Sequence, residues 1–340
     1  MDLERRAELA PAGRTAARSP ADARDLREGG RWTWGQRVKN DALYALATAA
    51  LFAARQAPLG ALAALGAGVG ALAHVAWGSG RRVALANVAR ALPEASERER
   101  RALVRESFRR LGSYLADAVA QLDGRALLPR LTVDDESLAT MAEARAGGRG
   151  VLFASGHLGP WERVAAALVA HRIPLVTIAR EPYDPRFASV YEALRERHGV
   201  GVIYRGHAGA PTRIVRTLRR GGVLGVPMDL ATRAPSVLVP FLGHPAPTPI
   251  GPARLALRAG ARVVVGTFAP PWRVAITAID TADLDASADA ELELLARING
   301  ELSRRVLASP EGFLWMHPRW GTEAATVTSL APKSAVLSST

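Results

Sequence analysis

From about residue 130 onward, short apolar runs alternate with stretches of helical periodicity, and this alternation restricts the possible folds more than any other feature of the sequence. The runs have the length of buried strands. The predicted strands are 151–155, 175–179, 200–204, 223–226, 237–241, 263–268 and 274–279. The predicted helices between and after them are 137–146, 160–171, 185–198, 211–220, 249–259 and 289–308. This order is typical of an α/β domain in which helices flank a mostly parallel or mixed sheet.

The N-terminal part is different, because residues 57–80 contain no charged side chain and follow another uncharged run at 42–54. A membrane-spanning helix needs about 20 apolar residues, so the longer run is long enough. It consists mostly of Ala and Gly, which makes its hydrophobicity marginal. We therefore predict a membrane-associated helical segment over residues 31–80, either as one spanning helix or as a hairpin or interfacial helix in the membrane surface. A core helix of a soluble domain is the remaining interpretation.

Two glycine patterns occur in this apolar run. Residues 66–71 match the GxGxxA form of a dinucleotide loop, but no strand precedes them and no acidic residue follows about 20 positions later. A nucleotide site is therefore not expected. Gly66 and Gly70 also match GxxxG, a pattern that lets membrane helices approach closely.

Ser96 and Glu99 form a predicted capping box at the start of a long amphipathic helix. Apolar residues recur on one of its faces, namely Val104, Phe108, Leu111, Leu115 and Leu122. We expect that face to pack on the main domain, while the arginines opposite contact lipid phosphates or are simply solvated. Residues 1–30 are polar and predict a disordered extension, and residues 323–340 predict a flexible tail.

Composition excludes several classes of function. The formal net charge is +12, and nearly all the positive charge is arginine, since the only lysines are Lys39 and Lys333. Residues 40–332 therefore lack the lysine that a P-loop, a Schiff base or a pyridoxal cofactor requires. The absence of cysteine excludes disulfides and Cys-ligated metal sites. A basic surface attracts phospholipid headgroups, acidic carrier proteins, phosphorylated substrates or nucleic acid.

Residues 156–162, with the sequence Gly-His-Leu-Gly-Pro-Trp-Glu, lie between the predicted strand 151–155 and the helix after it. His157 is thus at the carboxyl end of a strand, where open α/β sheets bind ligands, and Glu162 is in the first helical turn. A carboxylate at this spacing can bind one imidazole nitrogen while the other takes a proton from a hydroxyl. The helix N-terminus adds positive potential that stabilises an oxyanion. Alternatively, His157 caps the turn and Glu162 is an acidic residue favoured by the helix dipole.

This segment resembles the signature of the bacterial lipid A biosynthesis acyltransferase family, the lauroyl and myristoyl transferases. That family belongs to a wider glycerolipid-acyltransferase group with a His-x4-Asp/Glu motif. Further similar blocks occur in the family's order, so that the resemblance covers about residues 42–322. They are residues 81–87 with 92–94, 218–222 with 229, 239–243 with 248 and 251, and 310–320. The resemblance implies a glycerolipid-acyltransferase-like fold with its acyltransferase domain at 81–322.

The resemblance also implies roles for the residues of the motif. His157 is the general base and Glu162 the carboxylate that orients it, without metal or another cofactor. Gly159 and Trp161 are expected to line the substrate site. Arg180, after the second strand, matches an arginine that faces the substrate and binds a phosphate or the thioester oxygen; its other interpretation is a strand-end arginine in solvent.

Three further residues have more than one interpretation. Asp229 follows the predicted strand 223–226, where it assists the histidine, binds the acceptor hydroxyl or forms an Asx-type turn. His317 and Arg319, together with Trp315, lie in the C-terminal block. They either close the substrate site, with His317 and Arg319 binding substrate, or simply pack.

By this resemblance the protein is a membrane-associated acyltransferase of the bacterial inner membrane, with its catalytic domain on the cytoplasmic face. It would transfer a fatty acyl chain from acyl carrier protein or coenzyme A to a hydroxyl of a glycolipid, foremost a lipid A precursor. The sequence around Arg180 lacks the Lys and Asn often found there, and residues 206–209 are unusual. Another polar lipid, such as a glycosylated phospholipid or an aminolipid, is therefore the alternative acceptor.

Other classes of protein fit less well. A serine hydrolase needs a GxSxG elbow, which the chain lacks. A metal hydrolase needs ligands at a set spacing, and the seven histidines of the chain show no HExxH or paired ligand spacing. A non-catalytic, basic membrane-binding protein stays open as an alternative. A nucleic-acid partner is not expected, because no helix-turn-helix, zinc-finger or RNP pattern is visible.

Overall fold

The computed structural model of the protein describes residues 30–321 apart from positions 183 and 233, so the predicted tail and nearly all of the predicted extension lie outside the described residues. Its α-helices are α1 (Trp34–Gln56), α2 (Leu59–Ala76), α3 (Gly78–Ala91), α4 (Glu97–Leu122), α5 (Asp135–Arg145), α6 (Trp161–Ala170), α7 (Ala188–Arg197), α8 (Ala210–Arg219), α9 (Gly251–Ala259) and α10 (Ala288–Ala308). Its strands are β1 (Thr132–Val133), β2 (Val151–Ser155), β3 (Leu175–Ala179), β4 (Gly201–Tyr204), β5 (Val223–Pro227), β6 (Ser236–Phe241), β7 (His244–Pro249), β8 (Arg262–Ala269) and β9 (Arg273–Ile279). Short 3₁₀ turns cover Ala146–Gly148, Pro185–Phe187 and Pro310–Gly312.

The central sheet has seven strands in the order β1-β9-β8-β2-β5-β3-β4. Its neighbouring strands are parallel, except that β8 and β9 are antiparallel. Residues 151–154 and 263–265 at its centre are buried, as expected for strands covered by helices on both faces. The predicted α/β class, with a mostly parallel sheet flanked by helices, is therefore confirmed.

A separate antiparallel ladder of β6 and β7 is predicted only in part. The apolar run at 237–241 indicates β6, whereas β7 carries Pro245, Pro247 and Pro249 and has no apolar run. Proline cannot donate to a ladder and normally argues against a strand. Because these prolines occupy every second position, Ala246 and Thr248 between them can supply the N–H groups that the ladder needs.

The N-terminal apolar region consists of two successive helices, α1 and α2, here called the α1–α2 segment. A capping box of Thr33 and Gln36 begins α1. Pro58 separates the two helices and precedes the first turn of α2, where a missing N–H is tolerated. In the described part of the chain, α2 is the one helix long and apolar enough to cross a membrane, and 17% of its apolar window is buried. Large apolar side chains on the surface of this segment include Trp34, Leu43, Leu46, Phe52, Leu65, Val69, Leu72 and Val75.

Close contact between α2 and α4 joins this segment to the rest of the molecule. A Cβ atom on Gly112 of α4 would lie 2.1 Å from the carbonyl oxygen of Gly66, and one on Gly70 would lie 2.3 Å from the carbonyl oxygen of Phe108. The GxxxG pattern of α2 thus serves a contact within this chain. The predicted capping box of Ser96 at the start of α4 is confirmed.

Candidate active site

The parallel pairing of β2 and β5 builds the candidate site, because the carboxyl ends of the two strands lie side by side. Ser155 at the end of β2 pairs with Pro227 at the end of β5. The Met228 N–H donates to the Ser155 carbonyl at 2.8 Å, so the chains stay together beyond the strands. His157 and Asp229 each stand two residues past their strand, and this register brings their side chains together.

Asp229 holds both the ring and the backbone of His157. The Nδ1 atom of His157 lies 2.9 Å from Asp229 Oδ1, and the His157 backbone N–H donates to Oδ2 at 2.6 Å. The Asp229 side chain is 1% exposed and that of His157 is 19% exposed. A Cβ atom on Gly156 would lie 3.3 Å from Asp229 Cγ, so a small residue there lets the carboxylate approach. Two contacts to one carboxylate fix the orientation of the imidazole.

Burial and mutual attraction act in opposite directions on this pair. Burial by itself would lower the pKa of His157, but the charge of Asp229 and its hydrogen bond raise that pKa above the ordinary histidine value. Burial would raise the pKa of Asp229, but the charge and hydrogen bonds of His157 hold that pKa below its usual range. The pair therefore favours an ionised carboxylate beside a histidine that accepts a proton readily.

Glu162 does not occupy the position predicted for it as the orienting carboxylate of His157. It lies in the first turn of α6, as expected, but its carboxylate accepts from Arg195 of α7, with Nη2 at 2.9 Å and Nε at 3.2 Å. Bidentate binding to a guanidinium is strong, and it turns Glu162 toward α7. Asp229, one of whose alternatives was to assist the histidine, makes the contact instead. Glu162 still contributes to the raised pKa of His157, and the sequence analysis gave no role to Arg195.

The loop that carries His157, residues 156–160, is held by the C-terminal block, residues 310–320. Gly159 has φ +68°, and a Cβ atom there would lie 2.5 Å from the ring of Phe268, so the position requires glycine. Its N–H donates to the Gly312 carbonyl at 2.9 Å, and the Leu314 N–H donates to the His157 carbonyl at 3.2 Å. Residues 312–314 thus hold the loop at two points, His157 and Gly159.

Asn87 of α3 is a residue whose part in this site the sequence analysis missed. Its buried side-chain amide donates to the carbonyl oxygens of Trp315 and His317, each at 2.8 Å. The Trp315 indole N–H in turn donates to the Pro310 carbonyl at 2.6 Å. Asn87 could have been noticed because it is the one amide among the buried residues of α3, which are otherwise small or apolar.

A small, mostly apolar cavity of about 70 Å³ adjoins His157. Phe153, Leu168 and Leu175 contribute to its walls. Trp161 lines it as well, and its ring meets that of His157 edge to face at 5.0 Å between centroids. Trp161 is therefore in contact with His157, and its binding to substrate stays a prediction.

Arg180 and His317 are two further residues of the predicted site. Arg180 directly follows β3 at the carboxyl edge of the sheet and is exposed. Within the described part of the chain, the buried Nδ1 of His317 has no hydrogen-bond partner. Burial lowers the pKa of His317, and the nearby negative charge of Asp229 offsets this only in part.

Arg319 lies in the interior. Its side chain donates to the Pro247 carbonyl and, at 3.0 Å, to Thr248 Oγ1, and its guanidinium stacks 4.8 Å from the ring centre of Phe241. Burial lowers its pKa to about 10, with partial compensation by Asp229. The side chain thus packs against β6 and β7, and its binding to substrate stays a prediction.

Among residues 30–321, positions 183 and 233 excepted, no group of three His, Asp or Glu side chains has the arrangement of a metal site. The expectation that neither metal nor another cofactor takes part stays a prediction.

A comparison with models of protein families gives a match that covers most of the chain. A model of the family described as bacterial lipid A biosynthesis acyltransferase matches residues 33–322, which is most of the chain. No curated protein matches the sequence.

Proposed function

The chain belongs to the bacterial lipid A biosynthesis acyltransferase family and is an acyltransferase, and we propose that it moves a fatty acyl chain from a thioester to a hydroxyl of a glycolipid, with His157 as the general base. In this proposal the donor is acyl carrier protein or coenzyme A, and the acceptor is a lipid A precursor. The hydrogen-bonded pair of His157 and Asp229 at the carboxyl edge of the sheet carries the proposal.

The proposed reaction is a direct transfer. Because Asp229 holds Nδ1 of His157, Nε2 is the nitrogen that takes the proton from the acceptor hydroxyl. The hydroxyl oxygen attacks the thioester carbonyl carbon, the C–S bond breaks, and the imidazolium returns its proton to the departing thiolate. The negative charge of Asp229 stabilises the imidazolium that forms meanwhile. No covalent acyl-enzyme is needed, and a general base of this kind contributes about 10²–10⁴-fold in rate.

The remaining residues of the site receive supporting roles. His317, with its buried ring nitrogen, donates to the thioester oxygen as negative charge develops there. Arg180 binds a phosphate of the acceptor, and Gly159 and Trp161 line the path of the acyl chain. The ion pair of Glu162 with Arg195 adjusts the charge near His157, and Arg319 supports the block that carries His317.

We propose that the enzyme is attached to a membrane, because its family is membrane-associated in bacteria. The exposed apolar surface of α2 supports this proposal. We place the enzyme at the inner membrane with its catalytic domain facing the cytoplasm, since both proposed donors are found there. Protease digestion of inverted membrane vesicles tests this orientation, because the domain should then be cleaved from outside.

The function is tested with membranes that contain either the intact protein or its His157→Ala variant. Radiolabelled acyl carrier protein thioester and acyl-CoA are supplied in parallel, together with a bacterial lipid extract, and the products are separated. We expect one labelled lipid, which depends on His157 and identifies both donor and acceptor. His171→Ala is the matched control. The Nδ1 atom of His171 lies 2.8 Å from the carbonyl oxygen of Ala167, so this ring contacts the end of α6 and has no proposed part in the reaction.

Two results would contradict the proposal. One is a His157→Ala variant that turns over at the rate of the intact protein. The other is a stable acyl-enzyme trapped from the labelled donor, since direct transfer has no such intermediate.

A further inference from the structure

Charge is distributed very unevenly along the chain. Residues 197–279 include eleven arginines and a single acidic residue, Asp229, which is buried beside His157. Two helices of this stretch, α8 and α9, pack side by side. The stretch therefore contributes only positive charge to the protein surface, and a surface of one sign attracts partners of the other.

Helix α8 concentrates this charge on one face. Its opposite face is held in the core by Ala210, Ile214 and Leu218. We define the basic face of α8 by the exposed arginines of the helix and of the position that ends it, namely Arg213, Arg216, Arg219 and Arg220.

The charge of this face is not neutralised within the part of the chain that the structure describes. There, the side chains of Arg216, Arg219 and Arg220 make no hydrogen bond or ion pair, and Arg213 donates only to the carbonyl oxygen of Val202, at 3.2 Å. The helix dipole favours a basic residue in the last turn. Arg216 and Arg220, however, are four residues apart, a spacing at which like charges repel each other. An anionic partner relieves that repulsion.

The basic face of α8 and the α1–α2 segment belong to opposite sides of the central sheet. Leu218 of α8 shares a core with Leu152 of β2, whereas α6 shares the other core with Phe153, the next residue of that strand. Helix α4, which holds α2, is bound to the α6 side by the ion pair of Asp117 with Arg163. A membrane that contacts the α1–α2 segment therefore lies across the sheet from α8, which favours a partner in solution.

Helix α8 begins at the edge of the sheet that carries His157. It follows β4, whose last residue, Tyr204, pairs with Ala179 at the carboxyl end of β3. Three strand spacings separate β4 from β2, which is about 14 Å. The helix itself is about 15 Å long. A thioester on a flexible arm of a partner bound to α8 can therefore reach His157.

We propose that the basic face of α8 docks the acidic surface of acyl carrier protein, which presents the donor thioester to His157. This inference rests on the proposed function, and it selects the carrier protein over coenzyme A as the donor. Coenzyme A carries its charge on a few phosphates and needs no basic surface as long as a helix. Electrostatic docking accelerates association and weakens as salt is added.

Donor kinetics in detergent test the inference. Thioesters of one fatty acid on acyl carrier protein, coenzyme A and pantetheine are compared as donors. In the variant that combines Arg216→Glu with Arg220→Glu, we expect kcat/KM for the carrier protein to fall at least about tenfold. Turnover of acyl-pantetheine should be unchanged, because that donor lacks the protein. The matched control combines Arg98→Glu with Arg105→Glu, which changes the net charge equally at exposed arginines of α4.

Docking is also measured without turnover, in the His157→Ala protein, so that a failure of the proposed chemistry leaves the result interpretable. The chain has no cysteine, and a photo-crosslinker can therefore be attached at a single introduced one. Thr212→Cys places it at an exposed position of α8, and Leu72→Cys, at an exposed position of α2, is the control. We expect a crosslink to acyl carrier protein from α8 alone, which salt weakens and the double Glu variant abolishes.

Three outcomes overturn the inference. Crosslinking and carrier-protein turnover that persist in the double Glu variant place the docking surface elsewhere. An equal loss of turnover with acyl-pantetheine means that the arginines act on the site itself. A missing crosslink to the carrier protein, with binding to anionic vesicles or RNA that the variant abolishes, assigns the face to lipid or nucleic acid. A crosslink that forms as expected in a protein without acyl transfer contradicts the proposed function and leaves the docking surface in place.

Discussion

Large apolar side chains point inward in the α/β body and outward in the α1–α2 segment. Phe153 and Leu152 of β2 are 2% exposed or less, whereas Leu46 and Val75 of the N-terminal helices are each 68% exposed. Exposed apolar surface of this extent is typical of an interaction site. The body therefore has a core of its own, whereas much of the apolar surface of the N-terminal helices is left exposed.

Helix α4 belongs to both regions. Its glycine face contacts α2, and its buried Asp117 accepts from Arg163 of α6, with Oδ2 2.5 Å from Nε and Oδ1 2.6 Å from Nη2. Since α6 begins directly after the loop that carries His157, α4 connects the exposed apolar surface of the α1–α2 segment to that loop. The comparison thus predicts that chemistry and membrane binding can be disrupted separately in the two regions, and together at α4.

The largest expected effect belongs to the body. Asp229→Asn removes the charge that orients and stabilises His157, so kcat/KM should fall by about 10²–10⁴-fold while binding to vesicles is unchanged. Glu162→Gln should cost less, because Arg195 rather than His157 is its hydrogen-bond partner. Acyl-transfer rates and vesicle co-sedimentation measure both. A larger loss for Glu162→Gln than for Asp229→Asn would reverse the assignment of the orienting carboxylate.

The second effect belongs to the α1–α2 segment. Replacing Leu65, Leu72 and Val75 with Ser removes exposed apolar groups worth about 1 kcal/mol each in an apolar medium. The partition coefficient into vesicles should therefore fall about a hundredfold, while turnover of a detergent-solubilised acceptor is retained. The control replaces Leu238 and Leu307, two exposed leucines of the body, with Ser. Equal losses in the two variants would remove the distinction between the regions.

The third effect lies where the regions meet. Gly112→Leu forces a side chain into the carbonyl of Gly66 and should destabilise the fold by about 1–3 kcal/mol, as measured by denaturant unfolding in detergent. The control is Gly68→Ala in α2, the helix that α4 contacts. Nothing lies within 4 Å of the Cβ position of Gly68. That change should be neutral or stabilising by about 0.5–1 kcal/mol. Unaltered stability of Gly112→Leu would show that α2 and α4 separate easily.

The smallest effect is a shift along the pH axis. A general base must be unprotonated, and the charge of Asp229 raises the pKa of His157 despite burial. The acid limb of kcat/KM is therefore expected at a higher pH than for an ordinary histidine. In Asp229→Asn the acid limb of the residual activity should move to lower pH. Burial still lowers the pKa of His157 in that variant, whereas the attraction that raised it is gone. The measurement is kcat/KM across pH, with vesicle binding as the reference. An acid limb that stays at the same pH in Asp229→Asn would mean that a group other than His157 causes it.

Much of the body could be predicted from sequence because buried parallel strands leave a clear apolar signal. The predicted strands 151–155 and 175–179 have the bounds of β2 and β3, and the capping box of Ser96 correctly begins α4. Elements without that signal were not predicted. The prolines of β7 conceal its strand character, and β1 has only two residues.

The candidate site was predictable in position but not in its contacts. Spacing along the chain places Glu162 near His157, yet it cannot show that α7 brings Arg195 to that carboxylate. The choice of Asp229 depends on β5 lying next to β2, which is a property of strand order rather than of local sequence. Likewise, Asn87 meets the C-terminal block across more than two hundred residues, a distance at which no local pattern gives information.

The contact between the loop that carries His157 and residues 312–314 has a consequence for biosynthesis. A protein leaves the ribosome amino end first, so α1 and α2 emerge long before the segment that donates to His157 and accepts from Gly159. The nascent chain can reach the bilayer while the loop still lacks these backbone partners. In the proposed function the site is thus completed last, after the helices proposed to meet the membrane have emerged, and an unfinished chain carries His157 without the backbone partners that hold its loop in place.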